Sequence, residues 1–292
     1  MIKQPASIFN DVIGPVMRGP SSSHIAAAAR IGELIRQMVK GNVKEVFVEF
    51  DPNGALATTY HGHGSDIGFI GGLLGYDPSD PELTHSLDEA ANLGIKVSFV
   101  ITEYGAVHPN TYKITVTDTM NHKTRITAIS VGGGMIEIQL INDLQVNIAG
   151  DFYETLLFFN ETSAKCLEGS INLIGRELNN IEFIDYSISN NKGLINIKTG
   201  YKLSDQSMDS FIKKLAGLKE ILELSPVLPI MSRKNCIVPF NNADEMVKVG
   251  IERNLKLWEL ALLYERERGG ISEQEVFNKM KEIVTILRNS IE

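Results

Sequence analysis

Serine and histidine side chains crowd one short stretch near the start of the chain. In "GPSSSHIAAAARIG", Ser21, Ser22, Ser23 and His24 stand directly before an alanine-rich run that is typical of a helix. A serine at this position caps the unpaired N–H groups of the first turn, and one serine is enough for that. The surplus hydroxyls and the positive end of the helix dipole favour a second interpretation, a binding site for a carboxylate or phosphate.

A second stretch, "ALATTYHGHGSDIG", places His61 and His63 two residues apart, followed by Gly64, Ser65 and Asp66. Histidine is the commonest general acid or base near neutral pH, and a neighbouring carboxylate can orient its ring. A plain turn with two solvated imidazoles is the ordinary alternative, and the motif alone leaves both open. A His-x-His pair also suits a metal, but no third ligand is evident, so we expect no metal site in this chain.

Two further stretches have the same character. "GAVHPNTYKI" places His108 and Asn110 at the entrance of a strand, and "SVGGGMIEI" interrupts a strand pattern with Gly132, Gly133 and Gly134. Glycines in a strand mark a bulge, a close backbone approach or an anion-binding nest. A turn histidine and a simple bulge would explain them separately. Together with the serines and histidines upstream they predict one substrate pocket within the first 150 residues.

The elements that position these residues fall into three segments. Residues 1–150 combine a clear helix with alternating strands and predict an α+β domain. Residues 151–227 have the order βαββαβ, with a turn at 190–193. Residues 228–292 begin with a proline-rich linker and end with two amphipathic helices, at 243–269 and 272–291, in which Trp258 is expected to be a core residue or interface anchor.

Composition excludes several classes of function. With 292 residues, 43% of them hydrophobic, and a net charge of −8, the chain has the composition of a globular protein but not of a nucleic-acid-binding protein. It shows no bilayer-spanning apolar run and no signal peptide, so we expect a cytoplasmic location. Cys166 and Cys236 are far apart; Cys166 is predicted to be a small buried residue, Cys236 to lie in an exposed linker, and neither to be catalytic.

The motifs also resemble a known family. In order, "IFNDVIGPVMRGPSSSHIAAAARIG", "ALATTYHGHGSD", "GLLGYDPSDPEL", "HPNTYKI" and "SVGGGMIEI" are similar to the beta chain of the iron–sulfur-dependent L-serine dehydratases, or L-serine ammonia-lyases. The second segment resembles the ACT domain of that chain, and the helical third segment resembles the start of the family's alpha chain. The resemblance covers nearly the whole length and is strongest in the first segment.

The resemblance implies a carbon–nitrogen lyase of amino-acid degradation and gluconeogenesis that converts L-serine to pyruvate and ammonia. The open iron of a [4Fe-4S] cluster would act as Lewis acid, and the cluster would be bound by a partner alpha chain. The serine run and His24 then belong to the substrate pocket, as do His63 and Asp66 with Gly64 and Ser65 between them. His63 is the better candidate for the base and His24 the second. Association of two copies through the ACT-like domain is also expected.

Some positions depart from the family pattern. Ile25 replaces a usual threonine, His61 stands where a lysine is common, and "NETSAK" lacks the glycine of the first strand-to-helix loop of ACT domains. The first two departures suggest the same lyase chemistry on another small amino acid as an alternative. The third casts doubt on ligand binding in the ACT-like unit. A non-catalytic amino-acid sensor that regulates a partner is the alternative from a different class.

Overall fold

The computed structural model describes residues 4–14, 16–160, 162–289 and 291. The chain forms two compact units. The larger unit is Met17–Leu228, and the smaller combines Met1–Val16 with Pro229–Glu292. Among the described residues, no helix is long and apolar enough to cross a membrane.

The larger unit begins with a six-stranded sheet in the order β2-β1-β3-β4-β5-β6. Its strands are β1 (Val43–Phe50), β2 (Lys96–Ile101), β3 (Thr111–Asp118), β4 (Lys123–Gly132), β5 (Met135–Ile141) and β6 (Leu144–Ile148). β1 and β2 are parallel, whereas the other neighbours are antiparallel. Alternate residues such as Val46 and Val48 are fully buried, so one face of the sheet carries the core.

Four α-helices accompany this sheet: α1 (Ser22–Met38), α2 (Leu56–Thr59), α3 (Ser65–Leu74) and α4 (Ser86–Asn92). A 3-10 helix at Pro81–His85 precedes α4. Ile31, Leu34 and Ile35 of α1 are completely buried and pack in the same core as the strands. The alanine-rich run thus forms the predicted helix, with its apolar face on the sheet.

The second sheet has the predicted βαββαβ order. It contains β7 (Tyr153–Phe159), α5 (Ala164–Glu177), β8 (Ile181–Ser189), β9 (Lys192–Thr199), α6 (Asp205–Lys214) and β10 (Leu218–Leu224). The antiparallel strand order β10-β7-β9-β8 is that of a ferredoxin-like unit. Asn190 and Asn191, both with positive φ, make the β8–β9 turn. The mixed elements confirm the α+β class.

The central strands of the second sheet, β7 and β9, are buried on both faces. Leu157 and Phe159 pack in one core with α5 and α6, whereas Leu156 and Phe158, which point the other way, join the core of the first sheet. Glu154 shares that second face and lies 3.2 Å from Lys198 Nζ, which also donates to the Asn147 carbonyl. A polar bridge therefore crosses the boundary between the sheets.

The smaller unit contains a one-turn π-helix at Ile8–Val12 and three helices, α7 (Ala243–Arg253), α8 (Leu257–Gly269) and α9 (Glu273–Asn289). The expectation of a single helix over 243–269 is wrong, because Asn254 adopts the left-handed conformation and ends α7. Trp258 is 57% exposed and is therefore not a core residue. Reciprocal hydrogen bonds join the Asn10 side chain to the backbone of Ile230.

Candidate active site

Helices α1 and α3, which begin at the serine run and after the histidine turn, pack backbone to backbone. A Cβ added to Gly72 of α3 would lie 1.9 Å from the carbonyl oxygen of Ala29 in α1, and one added to Gly68 would lie 2.6 Å from that of Ile25. Only glycine leaves room for such an approach. The two contacts advance in the same direction along both helices, so α1 and α3 run parallel. Their N-termini therefore lie side by side, and the positive ends of both dipoles point to one place.

The beginning of α1 presents its serines differently from the capping prediction. Ser21 is the N-cap residue, but its side chain accepts no backbone hydrogen bond, so that part of the prediction is wrong. Its hydroxyl is instead hydrogen-bonded to His24 Nδ1 at 2.7 Å. The backbone N–H groups of Ser22 and Ser23 have no acceptor among the described residues. The helix start thus keeps two donors and two hydroxyls available for an anion.

The turn between α2 and α3 carries the second motif. His61 Nδ1 lies 2.5 Å from Asp66 Oδ2, so this carboxylate orients His61 rather than His63. The His61 side chain is 83% exposed, and the hydrogen bond with Asp66 raises the pKa of its imidazole. Gly64 has φ of +76°, and a Cβ there would lie 2.9 Å from Ile25 Cδ1. Ile25, fully buried, therefore packs under the turn that carries the histidines.

His24 and His63 meet across the two helix starts. Their ring centroids are 4.5 Å apart with an angle of 54° between the planes. Burial, and secondarily the proximity of His63, lowers the pKa of His24, so its imidazole is neutral at physiological pH. Nδ1 of His63 is buried and has no hydrogen-bond partner among the described residues. An imidazole nitrogen without a hydrogen-bond partner, beside the neutral ring of His24, is suited to accept a proton.

Ser65, the first residue of α3, is completely buried. Burial raises the pKa of the Tyr112 phenol to about 12, and a hydrogen bond with the Ser65 hydroxyl opposes that rise. The Ser65 side chain therefore contacts β3 at the start of α3. Nδ1 of His63 is a buried polar atom without a partner among the described residues, and since buried polar groups are normally hydrogen-bonded, it is a candidate for a contact with a ligand.

The His108–Asn110 loop supports the histidine turn from the side. The Pro109 carbonyl accepts a hydrogen bond from Ala55 N at 2.8 Å, next to the start of α2. Asn110 N donates to His108 Nδ1, and the Asn110 carbonyl accepts from Ser130 N. Within the described residues, no hydrogen bond links His108 or Asn110 to the histidine pair. The loop fastens α2, and its role in substrate binding stays a prediction.

The three glycines form a hairpin turn between β4 and β5 rather than an interruption of one strand. Gly132 pairs with Met135, and Gly133 and Gly134 fill the turn with φ of +61° and +83°. Only Gly134 lies against another element, because a Cβ there would be 3.2 Å from Ala26 Cβ of α1. Ala26 follows Ser22 by one turn, so the hairpin lies along the helix face that begins with that serine.

Arg30 is a buried cation that the sequence analysis missed. It is 2% exposed and donates a hydrogen bond from Nη1 to the Gly134 carbonyl, while its Nε has no partner among the described residues. Burial lowers its pKa to about 10, against the opposing charge of Asp77. The residue is still charged at neutral pH. Its position inside the apolar run "AAAARIG" is a signal that could have identified it.

The described residues contain no group of three His, Cys, Asp or Glu side chains placed to hold a metal ion. Cys166 is exposed, so the prediction that it is buried is wrong. It occupies the first turn of α5, where Leu167 takes the buried position. Cys236 is partly buried and donates from Sγ to the Arg268 carbonyl. Neither cysteine belongs to a group of three such side chains within the described residues.

Comparison with known proteins gives consistent matches. Residues 11–96 match the family described as serine dehydratase beta chain. The chain is 33% identical over 221 residues to a probable L-serine dehydratase beta chain of Bacillus subtilis, covering 75% of this chain and 98% of that one. Identity to the L-serine dehydratase beta chain of Peptoniphilus asaccharolyticus is 34% over 170 residues, 58% of this chain and 76% of the relative. An L-serine dehydratase of Haemophilus influenzae is 31% identical over 140 residues, 40% of this chain and 31% of that protein.

Proposed function

Since the chain belongs to the L-serine dehydratase beta-chain family, we propose that it is the beta subunit of an enzyme that converts L-serine to pyruvate and ammonia. The observation that carries the proposal is the His24–His63 pair, with ring centroids 4.5 Å apart, at the adjoining N-termini of α1 and α3. A helix start binds the carboxylate of an amino acid, and a neutral imidazole accepts a proton from its α-carbon. The nearness of the two helix starts to the two imidazoles supports the proposal.

In this proposal the carboxylate of L-serine is held at the start of α1. Ser22 and Ser23 contribute their hydroxyls and their unpartnered backbone N–H groups. The neighbouring start of α3 adds a second helix dipole of the same sign. Arg30, charged and buried on the same face of α1, adds to the positive potential without being exposed to solvent. The binding energy would thus be directed at the one group that is anionic throughout the reaction.

Proton removal is assigned to His63, with His24 as the second candidate. Nδ1 of His63 is unpartnered, whereas Nδ1 of His24 is already engaged with Ser21. His24 then holds or relays the proton after the transfer. Loss of the α-proton and of the β-hydroxyl, together a molecule of water, leaves aminoacrylate, and addition of water to its imine form yields pyruvate and ammonia. His61, oriented by Asp66, is placed at the exposed rim.

We further propose that a [4Fe-4S] cluster belongs to a partner alpha chain; this agrees with the lack of any group of three His, Cys, Asp or Glu side chains placed to hold a metal among the described residues. When bound, the cluster would supply a Lewis acid for the departing hydroxyl. The present chain would then contribute the carboxylate site and the proton acceptor. The alternative hypothesis is that the substrate is another small hydroxy or thiol amino acid, since Ile25 and His61 depart from the family pattern.

The test is anaerobic pyruvate formation from L-serine after iron–sulfur reconstitution. This chain, a candidate alpha chain and their mixture are assayed, with L-threonine, D-serine and L-cysteine as competing substrates. We expect pyruvate to form only when both chains are mixed. In that mixture, His63→Gln should lower the rate of pyruvate formation at least about 100-fold, the usual contribution of a general base. His122→Gln is the matched control, because His122 is an exposed hairpin residue paired with Asp118.

Three results would count against the proposal. A cluster-loaded complex that leaves L-serine unchanged but acts on another amino acid would replace the substrate. Full activity in His63→Gln, with His122→Gln also active, would remove His63 as the proton acceptor. Micromolar serine binding by this chain without any partner, combined with no turnover in the mixture, would support the sensor instead.

A further inference from the structure

A second concave site lies within the larger unit, between the two sheets. It is a cleft of about 620 Å³, a volume typical of small-molecule sites. Its walls come from β3 and β4, the β5–β6 turn, the end of β7, the β8–β9 turn and the beginning of β10. None of its lining residues belongs to the candidate active site. The cleft is therefore a separate place where a ligand can contact both sheets.

The cleft concentrates positive charge in an acidic protein. Lys123, Arg125, Lys192 and Lys219 line it, against Asp143 and Glu220, although the whole chain has 28 basic and 36 acidic residues. Asp143 is already engaged with Arg125 at 2.5 Å. The side-chain nitrogens of the three lysines have no hydrogen bond or ion pair with any described residue. With Arg125 and Asp143 paired, three ammonium groups remain against one carboxylate, Glu220, so the lining carries a net charge of +2.

The lysines come from distant parts of the sequence. Lys123 is the first residue of β4, Lys192 the first of β9, and Lys219 the second of β10. Folding brings three like charges to one cleft, where they favour the binding of an anion. Asn142 and Asn190 at the two turns add amide groups, and Phe158 adds an apolar surface. Ammonium and amide donors above an apolar floor suit phosphate or carboxylate oxygens on a small organic molecule.

We propose that this cleft binds a small polyanion, a molecule that bears at least two phosphate or carboxylate groups. One singly charged anion would leave half of the net charge of +2 uncompensated, whereas two anionic groups would balance it and could contact lysines on separate elements. Because the walls belong to both sheets, the bound polyanion joins them and stabilises the larger unit against unfolding. The proposal does not depend on the catalytic assignment.

The test is isothermal titration calorimetry on the full chain at about 0.1 M salt, where nonspecific surface attraction is largely screened. Pyrophosphate represents the phosphate class, citrate the carboxylate class, and acetate the monoanionic control. We expect pyrophosphate or citrate to bind with 1:1 stoichiometry and to raise the thermal midpoint of unfolding, and acetate to do neither. Which of the two binds more tightly identifies the anionic group.

Variants locate the binding. Lys192→Ala/Lys219→Ala should weaken binding at least about tenfold, since two of the three ammonium groups are lost. The charge-preserving Lys192→Arg/Lys219→Arg should retain it. Lys165→Ala, an exposed lysine on α5 outside the cleft, is the matched control and should bind like the parent chain. The proposal is overturned if neither polyanion binds, or if the alanine pair binds as tightly as the Lys165→Ala control.

Discussion

Gly72→Ala tests the packing that brings the two helix starts together. The added Cβ would lie 1.9 Å from the Ala29 carbonyl oxygen, 2.7 Å from its carbonyl carbon and 2.9 Å from its Cα. All three atoms are backbone, so no side-chain rotation relieves the contact. Ordinary contact begins at 3.4 Å, and the difference from 1.9 Å means that α1 and α3 must separate by 1.5 Å. A gap of that size removes much of the dispersion energy between facing atoms.

The expected loss of unfolding free energy is about 2 kcal/mol or more. Overpacking a tight site costs about 1–3 kcal/mol and more when backbone must move, while alanine recovers only about 1 kcal/mol through its helix propensity. Gly169→Ala is the matched control, because Gly169 lies in α5 and a Cβ there meets nothing within 4 Å. That control should stabilise the chain by about 0.5–1 kcal/mol. Glycine-to-alanine substitution is thus expected to lower the free energy of unfolding at position 72 and to raise it at position 169.

Urea unfolding followed by far-ultraviolet circular dichroism measures both effects. Trp258 is the single tryptophan and lies in the smaller unit, so its fluorescence reports separately on a part that does not contain Gly72. In Gly72→Ala we expect the urea concentration at the circular dichroism midpoint to fall. The Trp258 fluorescence, which reports on the smaller unit, should keep its folded value at that lower urea concentration. If Gly72→Ala were as stable as the parent chain, or stabilised like Gly169→Ala, the backbone-to-backbone packing of α1 and α3 would be refuted.

Three further predictions concern buried or paired carboxylates. Burial raises the pKa of Glu154 to about 7 despite the nearby Lys198, so the folded chain binds this proton more tightly than the unfolded chain does. The free energy of unfolding should therefore fall as pH rises from about 4.5 to 7, by at most about 3 kcal/mol. Urea titrations should show that slope in the parent chain and lose it in Glu154→Gln; an unchanged slope would contradict the assignment. Glu265→Ala should cost about 2–3 kcal/mol, because the buried Ser7 hydroxyl and Ile8 N–H both donate to Glu265, whereas the exposed Glu252→Ala should change the thermal midpoint little. Asp66→Asn should lower the pKa of His61 toward its ordinary value in an NMR titration, and a constant pKa would disprove the pairing.

Local patterns predicted the elements of the fold well. Alternating apolar residues identified the strands, and the βαββαβ order of the second segment agrees with its observed strand order. The helix over 243–269 was misread because Asn254 looks like an ordinary polar residue until its φ of +51° is known. Cys166 was misplaced because free cysteine is usually buried, and the side of α5 that faces the sheet is decided by Leu167 and Ile174.

The sequence identified candidate site residues but not which of their side chains contact each other. Their types marked the serine run and the histidine turn, but the sequence gives no measure of which histidine meets which partner. Asp66 pairs with His61 within the turn before α3, whereas His63 meets His24 because the close packing of α1 and α3 sets that distance. The close crossing depends on Gly68 and Gly72 facing α1, a tertiary relation between residues more than 40 positions apart.

In the candidate active site, the groups that carry positive charge differ from the group that can accept a proton. Under the proposed function, the substrate carboxylate needs a positive environment and the α-proton needs a neutral acceptor, and a protonated histidine would supply the first at the expense of the second. The helix starts provide partial positive charge that cannot be neutralised by losing a proton, and Arg30, with its pKa near 10, remains charged. His24, whose pKa is lowered, stays neutral beside them. The helix dipoles and one buried guanidinium therefore supply the positive charge, and the His24 imidazole stays available to take up a proton.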